Sequence, residues 1–166
     1  MTYIRDGDAH VIIDPGMVPS PASILEPLRD HDVRAEDITD VIFSHHHPDH
    51  TVNVALFPHA RIHDHWAIYR NDTWQSRPAE GFEVSSSIRL IETPGHTPQD
   101  ITTLVGTAEG VAALTHLWFN QEGPAEDPLA TDSAALHAGR GRVLDIATLI
   151  IPGHGAPFVP DSNTAR

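Results

Sequence analysis

The sequence predicts a mixed α+β domain, rich in short strands and with its chemistry gathered at strand ends. Three observations predict it. Short apolar runs recur along the chain, interrupted by a few stretches of helical spacing, in the order strands, helix, strand-loop-helix, strands, helix, strand. Three of these runs lead directly into loops that carry histidine, at 45–50, 96 and 154. The length of 166 residues, with 40% hydrophobic and 20% charged residues, suits one domain over 1–166 with an ordinary core.

Taken in order, Thr2-Tyr3-Ile4-Arg5-Asp6 and His10-Val11-Ile12-Ile13 flank Gly7-Asp8 and read as a hairpin, ended by Asp14-Pro15-Gly16. Ile24, Leu25 and Leu28 fall at helical spacing between Ser20 and Asp30; Ser20 and Pro21 suit a helix start, and His31 reads as a surface residue. Val41-Ile42-Phe43 is a short buried strand. Thr51 to Leu56 then reads as a helix with Thr51 or Asp49 near its cap. Ala60 to His63 is a strand, and His63-Asp64-His65 reads as a solvent-side turn. The aromatic stretch Trp66 to Tyr69 and Asp72 to Trp74 is expected in the core rather than at a pocket mouth.

Strands follow at Ile88 to Glu92, Ile101 to Val105 and Val111 to Leu114, the last two joined through Gly106 to Gly110. Asn120 to Ala130 is polar, holds Gly123, Pro124 and Pro128, and reads as a loop. Thr131 and Asp132 cap a helix expected to run to Ala147, with Leu136, Val143, Leu144 and Ile146 inward and Gly139 and Gly141 weakening it. Leu149-Ile150-Ile151 is the last strand.

The chemistry centres on Ser44-His45-His46-His47-Pro48-Asp49-His50. Four imidazoles and a carboxylate at a strand-to-helix loop gain no core by clustering, and the rings would repel one another if charged. A metal removes the difficulty, because imidazole nitrogen and carboxylate oxygen are ligands that Zn²⁺, Mn²⁺ or Fe accept. Alternate residues of an extended segment point the same way. His45 and His47 can therefore share one ion while Asp49 and His50 turn toward a second, and His46 points elsewhere. Pro94-Gly95-His96 and Pro152-Gly153-His154-Gly155 repeat the theme, each a turn that presents a ring at a strand end.

His-x-His-x-Asp-His at 45–50, Pro-Gly-His at 94–96 and Pro-Gly-His-Gly at 152–155, in this order, resemble the metallo-β-lactamase-fold hydrolases, above all their glyoxalase II-like branch. The resemblance covers about Ile12 to Phe158. It implies a four-layer αββα sandwich. It also implies a ligand set of His45, His47 and His96 for one ion and Asp49, His50 and His154 for the other, with Zn in both and Mn or Fe as substitutes. Asp14 resembles the family's carboxylate that buttresses the ligand loops, although an ordinary turn aspartate would read the same. Two departures stand out. The chain is short at both ends for this fold, as a minimal or truncated member would be. Where the family places Gly-Asp with a metal-bridging aspartate, this chain reads Thr115-His116, so that His116 takes that position.

The resemblance implies a dinuclear or mononuclear metallo-hydrolase that uses metal-bound hydroxide, its pKa lowered toward ~7, on a small ester, thioester or lactone. Asp49 would orient that hydroxide and pass on a proton. The alternatives within the fold are a phosphodiesterase or ribonuclease and a redox or dioxygenase-type protein. A net charge of −13 without a basic stripe counts against nucleic acid. A sulfur dioxygenase would need a carboxylate where His116 stands. No cysteine is present for a disulfide or thiolate ligand, no apolar run reaches membrane-spanning length, and no signal peptide is recognisable. A small-molecule substrate and a cytoplasmic location are therefore expected; oligomeric state is left open.

Overall fold

Ten strands form two sheets, and each sheet frames one unit of the chain. The computed structural model describes all residues, Met1–Arg166, and the units comprise residues 1–78 and 79–166.

The first unit is a six-stranded sheet in sequential order: β1 (Thr2–Asp6), β2 (Ala9–Ile13), β3 (Asp40–Ile42), β4 (Arg61–His63), β5 (Ala67–Arg70) and β6 (Thr73–Ser76). β1 and β2 form the expected hairpin, while β2, β3 and β4 run parallel. Helix α1 (Ala22–Asp30) makes the first parallel crossover, with Ile24 and Leu28 buried. They pack with Ile12, Val33, Ile38, Val41, Phe43, Phe57 and Ala60. All three residues of β3 are buried, which explains its unbroken apolar look apart from Asp40. Asp40 is held by Arg61 Nε (2.8 Å) and His63 Nε2 (2.7 Å). Burial opposes the Asp40 charge, but those hydrogen bonds keep the carboxyl below its usual range. Burial also pushes the His63 imidazole down.

Two expectations for this unit need correction. His63 and Asp64 are not on a solvent-side turn but fully buried, because Asp64 serves as a hub. It accepts the backbone N–H groups of Trp66 and Ala67 (both 2.8 Å), the Tyr69 hydroxyl (2.8 Å) and His46 Nε2 (3.1 Å). Trp66 and Trp74 are not core: they are 48% and 64% exposed. The β5–β6 hairpin ends the sheet, so its aromatic residues have no further strand beside them.

The second unit carries the sheet β10–β9–β8–β7, built from β7 (Ile88–Glu92), β8 (Ile101–Thr107), β9 (Gly110–Thr115) and β10 (Leu149–Pro152). β9 and β10 are parallel, linked by a crossover through helix α3 (Ser133–Leu144). Asp132 caps α3 by accepting Ala135 N–H (2.9 Å). Leu136 and Val143 face a core with Ile91, Leu104, Leu117, Trp118, Ile150 and Phe158. Ile146, expected inward, lies beyond the last helical turn and is 36% exposed. Gly139 does more than weaken the helix: a Cβ there would stand 2.9 Å from Leu117 Cδ2, so the glycine lets α3 approach closely.

Arg140 is the least expected member of this core, at 1% exposed. Its guanidinium lies 5.6 Å from the Trp118 ring centroid and donates to the carbonyls of Leu117 (2.8 Å), Pro124 (3.3 Å) and Ala125. It thereby joins α3 to the strand-end segment after β9 and to the 120–130 loop. Arg140→Met keeps the aliphatic stem but strands three carbonyls, and is expected to cost about 3 kcal/mol. Urea unfolding followed by circular dichroism measures that loss.

Candidate metal centre

Each unit presents its own share of the predicted ligands. In the first unit the backbone leaves β3 at Ile42, and Ser44 and His45 are buried directly behind it. Asp14, at the end of β2, controls this corner from a left-handed conformation (φ +49°) that aspartate tolerates better than most residues. Its carboxylate accepts Ser44 N–H (2.7 Å), Ser44 Oγ–H (2.7 Å) and His50 Nδ1 (2.9 Å). Because the Ser44 hydroxyl donates to Asp14, His45 Nδ1, 3.0 Å from Ser44 Oγ, is the donor in that contact. Both rings thus carry their proton on Nδ1, which places the lone pair on Nε2.

His47 completes a pair with His45. The His45 Nε2 and His47 Nδ1 atoms lie 2.8 Å apart, so one ion at the ~2.0–2.1 Å bonding distance of zinc can reach both. The following helix, α2 (Pro48–Thr51), begins at Pro48 with His47 as its N-cap. Asp49 and Thr51 are therefore within the helix rather than capping it, since Pro48 supplies the favoured first helical position. Asp49 Oδ2 stands 3.5 Å from His50 Nε2, and the Asp49 side chain is 44% exposed. His46 faces away from His45 and His47, with its Nε2 3.1 Å from Asp64 Oδ2.

In the second unit three imidazoles meet. His116 stacks on His96 with centroids 4.2 Å apart and meets His154 edge-on at 5.3 Å. Phe119 stacks on His154 at 4.3 Å. His116 is buried, and it lies among the other two histidines instead of turning away. Gly153 makes this possible, because a Cβ there would run into the His116 ring. The loop that carries His154 is zipped to the segment after β9 by Gly153 N–H to Trp118 O (3.1 Å) and His154 N–H to Phe119 O (2.8 Å).

His96 is held at both its backbone and its ring. Thr131 N–H donates to His96 O (3.3 Å) and Asp132 N–H to Gly95 O (3.0 Å), which ties the start of α3 to the loop. A Cβ on Gly95 would sit 2.6 Å from Leu136 Cα, so only glycine fits under the helix. The ring's Nδ1 lies 2.7 Å from Asp127 Oδ2. Burial raises the Asp127 carboxyl, but the Leu129 N–H and His96 outweigh it and hold the group below its usual range.

Sequence reasoning did not single out Ser44, Asp127 or Arg140. Ser44 had a signal, as a hydroxyl adjoining the first ligand. Asp127 had none, because 31 residues of unremarkable spacing separate it from His96. The donor sets of both units, imidazole nitrogens backed by carboxylates with one exposed carboxylate, fit a zinc-type ion.

A β-rich, two-sheet α/β fold with histidines gathered at the strand ends defines a metallo-β-lactamase-type protein. The chain belongs to the metallo-beta-lactamase superfamily, whose family model matches residues 1–156. Among curated proteins it is similar to metallo-beta-lactamase domain-containing protein 1 of Xenopus laevis, with 34% identity over 160 residues that make up 92% of this chain and 69% of that protein. The Mus musculus protein of the same name is 31% identical, and the chain spans 60% of its length. Among solved structures, a Thermotoga maritima protein assigned to the metallo-beta-lactamases superposes with a TM-score of 0.74 at 22% identity, covering 95% of this chain and 86% of that one. AidC, a dizinc quorum-quenching lactonase solved with N-hexanoyl-L-homoserine as product, gives 0.71 at 16% identity, covering 98% and 76%. These likenesses place the chain in the metallo-β-lactamase fold. No helix is long and apolar enough to cross a membrane.

Close to His96, Asp100 accepts Thr97 N–H (2.7 Å) and Thr97 Oγ1–H (2.5 Å). Burial pushes this carboxyl up from 3.8 to about 6. A carboxyl raised in the folded state stabilises most below its unfolded pKa, and that contribution is lost as pH rises through about 6. The unfolding free energy should therefore drop by about 2 kcal/mol between pH 4 and pH 8 through Asp100 alone. Asp100→Asn should remove that part of the decline, which denaturant unfolding of both proteins across this range would reveal.

Proposed function

We propose that the chain is a metal-dependent hydrolase acting on a small ester, thioester or lactone. His45, His47 and His96 serve one zinc ion, and Asp49, His50 and His154 the second; Mn or Fe would suit the same donors. The observation that supports this best is the committed state of three rings. Asp14 fixes His50 directly and His45 through Ser44, while Asp127 fixes His96, so each directs Nε2 as a lone-pair donor.

Bound zinc would activate a water molecule and polarise the scissile carbonyl. The protein's own work is positioning and proton transfer. Asp49, exposed at the start of α2, is placed to take a proton from the attacking water and to deliver it to the leaving oxygen or sulfur. His116 is proposed to bind one ion without bridging, since a neutral imidazole offers a single lone pair. With Asp49 as the one anionic ligand, the two sites should differ in affinity. The phenyl face of Phe119, 48% exposed beside His154, suits an apolar portion of the substrate. The product held by AidC makes lactones a natural first class to assay.

Replacing His47 and His96 together by alanine should abolish one equivalent of bound zinc after dialysis, as read by atomic emission. Full zinc content in that variant would overturn the ligand assignment. Asp49→Asn should retain the fold and cut turnover by ~10²–10⁴-fold on the best substrate from a panel of lactones, thioesters and phosphodiesters. Unchanged turnover would remove Asp49 from the mechanism.

A further inference from the structure

We infer that Asp127 is a positioning residue for the metal: it holds the His96 ring in the Nδ1–H form and aims Nε2 at the ion, on a loop that Arg140 clamps from helix α3. The inference rests on the reading of His96 as a ligand and adds to it a residue to which no motif points.

Three observations carry it. The Asp127 carboxylate is not adrift on its loop. Oδ2 meets His96 Nδ1 at 2.7 Å while Oδ1 accepts Leu129 N–H at 2.8 Å, so both oxygens are committed and the carboxylate plane is set. A carboxylate only accepts, so the proton on the shared line belongs to His96 Nδ1, and the ring's remaining lone pair lies on Nε2. A carboxylate behind an imidazole also raises the basicity of the opposite nitrogen, which strengthens its bond to a metal.

The second observation is the clamp. The 120–130 segment has little regular structure of its own, yet the carbonyls of Pro124 and Ala125, just before Asp127, are gripped by the buried guanidinium of Arg140. The same guanidinium holds Leu117 O, the residue after His116. One helix-borne cation therefore fixes both the carboxylate behind His96 and the backbone beside His116.

The third is symmetry of design between the units. Asp14 does for His50, at 2.9 Å, what Asp127 does for His96. Asp14 sits in an Asp-Pro-Gly turn at a strand end and is legible in sequence, whereas Asp127 reaches its histidine across a loop and a helix start. The two carboxylates are partly buried, with side chains 15% and 17% exposed, so neither is well placed to act as a ligand in the open part of a site.

The test uses the full chain and zinc. Affinity is measured by competition with a chromophoric chelator, stoichiometry by metal analysis, fold by circular dichroism, and histidine tautomers by long-range ¹H–¹⁵N spectra of the zinc-free protein. Wild type should show His96 protonated on Nδ1. Asp127→Ala should weaken the zinc site that His96→Ala abolishes by ~10–100-fold and spare the other, with Asp127→Asn intermediate and Asp127→Glu restoring much of the loss. Wild-type affinity in both Asp127→Ala and Asp127→Asn, with His96→Ala losing zinc, would overturn the role of Asp127 and leave the ligand reading intact. Full zinc binding by His96→Ala would instead overturn the ligand reading. Should Asp127→Ala fail to fold, the wild-type spectrum decides: a His96 ring protonated on Nε2 overturns the inference without any variant.

Discussion

The first unit depends on one carboxylate. Asp14 accepts three hydrogen bonds from two residues of the ligand loop, and its own N–H donates to Ile42 O (2.9 Å) at the end of β3. Hydrogen bonds to a charged group are each worth about 1.5–3 kcal/mol, ample to offset the modest cost of a left-handed aspartate. The neighbouring Gly16 continues the attachment: its N–H donates to His50 O (3.0 Å), and its carbonyl accepts from Asn53. The short helix α2, only one turn long, relies on these contacts to hold His50 in place. A four-residue helix has almost no stability of its own.

The second unit solves the same problem by a different route. Its histidine loops are pinned through the backbone, as extensions of the β9–β10 pairing for His154 and as an attachment to the start of α3 for His96. Behind them runs a line of buried hydroxyls. Thr93 Oγ1 meets Thr102 Oγ1 at 2.8 Å, Thr102 donates to Thr115 Oγ1 at 2.7 Å, and Thr115 accepts Leu117 N–H at 3.3 Å. Buried hydroxyls cost free energy unless paired, and here they pair with one another. Loops fixed by main-chain bonds and satisfied hydroxyls hold the rings in place, as the proposed ligand role would require.

Much of this was legible in the sequence. Alternation and Gly-rich turns predicted the β1–β2 hairpin and the β7 to β9 meander, and Pro-Gly-His marked two of the strand ends. What failed did so for identifiable reasons. Aromatic content does not say which strand ends a sheet, so Trp66 and Trp74 were expected inside. The His63-Asp64-His65 run looked polar enough for solvent, yet Asp64 is buried because four local donors converge on it. Those donors are backbone N–H groups and side chains whose direction only the fold sets. Arg140 lay hidden in an apparently ordinary helix, since a cation satisfied by carbonyls has no sequence partner to reveal it. Asp127 was hidden for the same reason: its partner is distant along the chain and close only in the folded unit. The histidine loops were legible because their residues are concentrated in short motifs, and the side chains that hold them were not, because such partners need only be near in space.

The placement of negative charge follows from that division. Asp14 and Asp127 stand behind imidazoles and face inward, where a carboxylate makes the ring a better donor without occupying a coordination position. Asp49 differs from them, with its side chain 44% exposed. The chain as a whole carries 23 acidic against 10 basic side chains, a field that draws in divalent cations and disfavours polyanions. The proposed ligands are six imidazoles and one carboxylate, so that set would contribute a single acidic side chain. With so little negative charge among the proposed ligands, a bound divalent ion would retain most of its positive charge, and that charge is what would polarise a carbonyl.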